Sequence, residues 1–167
     1  MCAMTAPTAT ATILSPIGII RLCAEGAELV SVRIDPEGAA TDQAPATPLL
    51  KEAVAQMTAY FARERQNFDL PLRPLPSERG EALRMGIASV PYGATLTYGK
   101  LATGLGSAPR AVGQACKRNP FPIIIPCHRV TSTAGPEYYS GGAGASTKAW
   151  LIDFEQGKIP WKRTQLL

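Results

Sequence analysis

Three prolines, Pro71, Pro74 and Pro76, fall in the short stretch from Asn67 to Pro76, and no helix can run through it. Each proline fixes φ, lacks an amide donor and pushes the residue before it toward extended backbone. The segment therefore divides the chain into residues 1–76 and 77–167, and the apolar residues on its two sides follow different periods.

On the N-terminal side, Ala11 to Ile34 alternates short apolar runs around Ser15-Pro16-Ile17-Gly18 and Glu25-Gly26, which predicts paired strands joined by turns. Met1 to Ala11 has neither a basic start nor an apolar stretch, so it reads as a tail and not as a secretory signal. From Thr47 onward, Leu50, Val54, Met57 and Phe61 recur as one buried helix face, with Thr47 as cap.

Beyond the prolines the pattern is helical. Ser77 can cap a helix that buries Leu83, Ile87 and Val90 and stops at Pro91-Tyr92-Gly93. Thr97 caps a short helix through Leu101 and Ala102 that ends near Gly104. Ser107 precedes a third, with Pro109 in its first turn and Lys117 and Arg118 at its negative end. Two short helices joined by a glycine-containing turn form a helix-turn-helix, and Pro109 to Arg118 is its recognition element. Ser146 or Thr147 opens a last helix, with Trp150, Leu151 and Phe154 inward and Gly157 at its close. The expected class is α/β, a small sheet domain followed by a helical one.

Composition narrows the function classes. At 167 residues and 46% hydrophobic the chain can bury a core, but no apolar run approaches the roughly 20 residues that span a bilayer. A net charge of +4 is compatible with nucleic acid as partner. Cys2, Cys23, Cys116 and Cys127 stand singly, which suits reduced thiols in a cytoplasm better than a disulfide framework. With His128 as the single histidine, a structural zinc site lacks its donors, and no metal is expected.

Chemistry concentrates at Ile123-Ile124-Ile125-Pro126-Cys127-His128-Arg129-Val130. A thiol lies beside the single imidazole and a basic residue, the two kinds of neighbour that favour a thiolate.

Taken in order, Tyr98-Gly99-Lys100-Leu101-Ala102, Arg110-Ala111-Val112-Gly113, Asn119-Pro120, Pro126-Cys127-His128-Arg129-Val130 and Tyr139-Ser140-Gly141-Gly142 resemble the O6-alkylguanine-DNA alkyltransferases. The N-terminal half is similar in outline to that family's ribonuclease-H-like sheet domain, and the C-terminal half to its winged helix-turn-helix. The resemblance implies that Cys127 accepts the alkyl group, that His128 draws its proton away through a water and that Glu155 orients the imidazole. It implies that Asn119 braces the site and that Tyr98 assists the departing guanine and crowds the target phosphate. Arg110 matches the finger that fills the gap left by a flipped nucleotide. Ala111 and Gly113 would let the recognition helix approach the minor groove closely, and Tyr139, Ser140 and Val130 would wall the base pocket. The implied partner is double-stranded DNA carrying O6-alkylguanine, read with weak sequence preference. No cofactor, membrane or obligate protein partner is expected. A lesion-binding module like the alkyltransferase-like proteins is the alternative, and Cys127 argues against it; a cysteine hydrolase would need an oxyanion site and release of its adduct.

The chain departs from the family pattern in three places. Arg79, Gly80 and Arg84 stand where a Phe-Gln pair and a Trp are usual, which predicts a missing aromatic anchor. Pro109 replaces a small residue before the finger. The loop from Ala143 to Thr147 is longer than common.

Overall fold

The computed structural model describes residues 8–41, 44–135, 139 and 141–160. Strands β1 (Thr8–Ser15), β2 (Gly18–Glu25) and β3 (Glu28–Asp35) form an antiparallel meander in the order β1-β2-β3. Thr8 to Ala11, expected in the tail, belong to β1, and Ala11 is only 2% exposed. The first turn needs Gly18, whose φ is +114° and whose missing Cβ would lie 2.4 Å from the Asp35 carbonyl oxygen.

Helix α1 (Pro48–Phe61) covers this sheet, and Thr47 caps it by accepting a hydrogen bond from the Leu50 amide. Its buried face is Leu50, Ala53, Met57, Tyr60 and Phe61, while Val54 is only half-buried. The expected Leu50, Met57 and Phe61 are thus buried, and the face is wider than expected, taking in Ala53, Gln56 and Tyr60 with Val54 at its margin.

The proline-rich segment is extended and adds itself to the free edge of β3: the Leu29 amide donates to Pro71 O and the Arg73 amide to Leu29 O, both at 2.8 Å. Helix α2 (Glu78–Ala88) follows, capped by Ser77, with Leu83 and Ile87 in the core. Arg84 takes up the missing anchor's place: 8% exposed, its guanidinium lies 5.2 Å from the Phe121 ring centroid and donates to Arg73 O.

Helix α3 (Tyr98–Gly104), capped by Thr97, and helix α4 (Pro109–Lys117) pack against each other as the helix-turn-helix. Pro109 sits comfortably as the first residue of α4, where no amide donor is required. A short parallel pair, β4 (Leu96–Thr97) with β5 (Val130–Thr131), ties α3 to the segment after Cys127. Helix α5 (Ala145–Glu155) begins just before the expected Ser146 or Thr147, because Gly144, at φ +68°, makes the entry turn and no side chain caps it. The mixed α/β class, a small sheet domain joined to a helical one, is the architecture expected.

Candidate active site

Residues 121–130 are buried without exception. This apolar run carries Cys127 inward, and Cys127 to Arg129 close it as a 3-10 turn. Asn119 braces the run from α4's end. Its Oδ1 accepts from the Phe121 amide at 3.0 Å, and its Nδ2 donates to Ile125 O at 2.8 Å and to Cys127 Sγ at 3.2 Å. Between these anchors Ile123 is held at φ +75°, a conformation β-branched residues avoid, so the surrounding contacts impose this loop's shape.

His128 is fully buried and directs Nε2 to Glu155 Oε1 at 2.7 Å. Glu155, on the last turn of α5, accepts at both oxygens. Tyr60 Oη donates to Oε1 at 2.8 Å and Arg129 Nη2 at 3.0 Å, while Arg129 Nε donates to Oε2 at 2.9 Å and the Gly93 amide at 3.3 Å. Burial alone would raise this carboxyl, but hydrogen bonds and charges from His128 and Arg129 outweigh it and bring its pKa to about 2. An ionised carboxylate can only accept, so the imidazole proton sits on Nε2. Nδ1 is left as the basic atom, with no hydrogen-bond partner among the described residues.

Burial lowers the His128 pKa from its ordinary value, against the pull of Glu155, so the ring rests neutral. Burial likewise raises the Cys127 thiol, with the Asn119 hydrogen bond and the Lys148 charge opposing. The site therefore rests as thiol and neutral imidazole and not as a standing thiolate.

Arg129 does not supply the positive charge expected beside the thiol. Its guanidinium is committed to Glu155 and to Val90 O, at 2.7 Å. The cation that acts on Cys127 is Lys148 of α5, 1% exposed, with Nζ 3.3 Å from Tyr98 Oη.

A cavity of about 660 Å³ opens onto the sulfur. Tyr98, Tyr139 and Lys148 line it together with Pro109, Gly113 and Cys116 of α4. The Tyr139 hydroxyl is buried and has no hydrogen-bond partner among the described residues. Ser140 lies outside the described residues. Val130 is fully buried in β5 and is not part of the cavity lining. On α4, Arg110 is exposed and Gly113 has nothing within 4 Å of the position a Cβ would take, whereas Ala111 faces a separate cavity against α2. The structure thus gathers Cys127, His128, Glu155, Asn119, Tyr98 and Tyr139 in one place, with Arg110 on an outer surface. Tyr60, Lys148 and the ion pair of Arg129 went unread in the sequence. Among the described residues, no group of three or more His, Cys, Asp or Glu side chains is placed to hold a metal ion.

Two family models match the chain: "6-O-methylguanine DNA methyltransferase, ribonuclease-like domain" over residues 9–74 and "6-O-methylguanine DNA methyltransferase, DNA binding domain" over residues 81–157. The chain belongs to the 6-O-methylguanine DNA methyltransferase family. Among its relatives, the methylated-DNA–protein-cysteine methyltransferase of Mycobacterium tuberculosis is 36% identical over 154 residues, 89% of this chain and 93% of that one. The constitutive enzyme of that name from Bacillus subtilis is 39% identical over 112 residues, 66% of this chain and 68% of its own. The crystal structure of the M. tuberculosis O6-methylguanine methyltransferase superposes with a TM-score of 0.77 at 32% identity, covering 95% of this chain and 99% of that one. The structure of the M. tuberculosis protein in complex with DNA gives 0.75 at 34% identity, covering 90% and 94%. Membership in this family accounts for both halves of the fold, including the sheet domain that the sequence resembled only in outline.

Proposed function

We propose that the chain repairs duplex DNA by moving an alkyl group from O6 of guanine to Cys127, once per molecule. The observation that carries this reading is a buried thiol that opens onto a base-sized cavity and is backed by a neutral imidazole whose partner is an ionised carboxylate. His128 Nδ1 draws the Cys127 proton away through a water, Glu155 stabilises the imidazolium that results, and Asn119 steadies the sulfur as charge develops on it. The Sγ–carbon bond forms as the carbon–O6 bond breaks, and the electron pair leaves with guanine, to which Tyr98 can donate through its hydroxyl. Lys148 lies against Tyr98 and favours the anionic sulfur. The product is a thioether, which has no good leaving group.

The target atom lies inside a stacked duplex, so the nucleotide must turn out into the cavity. Arg110 would fill the gap and the helix would come close to a minor groove at Gly113, a reading supported by the exposure of Arg110 at the start of α4 and the open space around the missing Cβ of Gly113. Contacts of this kind go mainly to backbone, so sequence preference is weak and affinity falls with salt. No described helix is long and apolar enough to cross a membrane. A cytoplasm, where thiols stay reduced, suits an acceptor that must remain a thiol.

Cys127→Ser separates recognition from chemistry. The variant is expected to bind alkylated duplex as the parent does and to transfer nothing; repair by the variant overturns the assignment.

A further inference from the structure

We infer that Tyr60, supplied by helix α1 of the N-terminal sheet domain, is a positioning residue for the transfer and acts through Glu155 on His128. The inference rests on the function proposed above and adds to it a part for the first domain.

Helix α1 and the residues just past its C-terminus reach the end of α5 with two side chains. Tyr60, fully buried, donates its hydroxyl to Glu155 Oε1 at 2.8 Å, the same oxygen that faces His128 Nε2. Arg63 follows at φ +60°, an uncommon conformation for a residue with a Cβ. From there its Nη1 donates to Phe154 O at 2.9 Å, its Nη2 to Ile159 O at 2.5 Å, and its guanidinium lies 4.3 Å from the Phe154 ring centroid. A cation on the last carbonyls of a helix is favourably placed. One side chain therefore fixes the backbone beside Glu155 and the other fixes its carboxylate.

A purely structural tyrosine at this site would need no hydroxyl. The ring already packs against Phe61, Phe68, Tyr92 and Phe154, at centroid distances from 5.1 to 6.1 Å. The hydroxyl instead competes with His128 for charge on Oε1. Arg129 and Tyr92 face the same carboxylate, and Lys148 acts on His128, but none of these cations or hydroxyls comes from the N-terminal domain. Removing the hydroxyl leaves Oε1 richer in charge, which favours the imidazolium and so raises the His128 pKa. His128 accepts a proton only when neutral, so the acid limb of the rate must move to higher pH.

The test is Tyr60→Phe, which keeps the ring, assayed on the full chain with free O6-benzylguanine and, separately and without any repair substrate, with iodoacetamide, its reaction at Cys127 read by mass on the tryptic peptide Asn119 to Arg129, apart from the other cysteines. Both acid limbs should move up by about half a pH unit or more, the plateau rate should fall several-fold, and affinity for duplex DNA should stay unchanged. Should Tyr60→Phe not fold, 3-fluorotyrosine at position 60, a stronger donor of the same shape, should move both limbs down. Limbs that stay in place with either side chain overturn the inference. A parent protein whose Cys127 reacts with iodoacetamide but never with duplex DNA carrying O6-methylguanine overturns the proposed function instead.

Discussion

Cys127 and His128 rest in their neutral forms, and this fixes how the rate should respond to pH. The His128 pKa lies below its ordinary value of 6.5, so the ring can accept the thiol proton throughout the neutral range and loses that capacity only as acid protonates it. In His128→Ala the sulfur must ionise unaided. Burial holds that ionisation above the ordinary thiol value of 9.0, so transfer at neutral pH should fall on the order of 100-fold and recover only above pH 9. Stopped-flow rates from neutral to alkaline pH check this, and a loss without alkaline recovery would mean that His128 is structural. Adjacency of thiol and imidazole made this pair legible in the sequence, and ordered motifs made Asn119 and Glu155 legible. Tyr60, Lys148 and the turning of Arg129 toward Glu155 were not, because each depends on contacts between residues far apart in the chain. A local string cannot tell which neighbour a guanidinium will face.

Among the elements, caps and breakers were read well because their physics is local: Thr47, Ser77 and Thr97 each accept from an amide three residues on. On α1 the buried Leu50, Met57 and Phe61 were legible from their spacing, whereas Ala53 taking the inward place of Val54 was not, because both are apolar and only the sheet beneath decides which one turns inward. Arg84 in the core was missed because its burial depends on Phe121 and Arg73 O arriving from elsewhere. Helix α4 carries the proposed approach to DNA. Gly113 sits in its interior with open space around the missing Cβ, so packing does not demand glycine there. Gly113→Ala should stabilise the protein by about 0.5–1 kcal/mol in chemical denaturation, since glycine lowers helix stability by that order. It should also weaken duplex binding, because a methyl group would stand on the approach surface. Unchanged DNA affinity would show that this face of α4 does not meet the duplex.

Across the whole molecule, the two domains are joined at the chemistry. The Val32 amide of β3 donates to Pro120 O at 2.8 Å, next to Asn119, while Tyr60 and Arg63 hold the end of α5. The proline-rich segment that separates the halves in sequence lies along the same edge of β3, so a boundary legible as a helix breaker is also part of the sheet. This tertiary arrangement, in which a small sheet steadies both a bracing asparagine and an orienting carboxylate, has no signature in periodicity or composition. On the proposed function it serves one event, an irreversible transfer to one thiol, and the chain allows that event to be located. Trypsin cuts after Arg110, Lys117, Arg118 and Arg129, so Cys116 falls in the peptide Ala111 to Lys117 and Cys127 in Asn119 to Arg129. The selectivity is physical as well: burial first of all, and then the nearby Cys127, push the Cys116 thiol up to about 12. The most direct measurement is peptide mass spectrometry after incubation with duplex DNA carrying O6-methylguanine. The Asn119 to Arg129 peptide should gain the mass of one methylene per lesion removed, repair should stop at one lesion per molecule, and the Cys116 peptide should stay unmodified; methylation of Cys116, or repeated turnover by one molecule, would contradict the account.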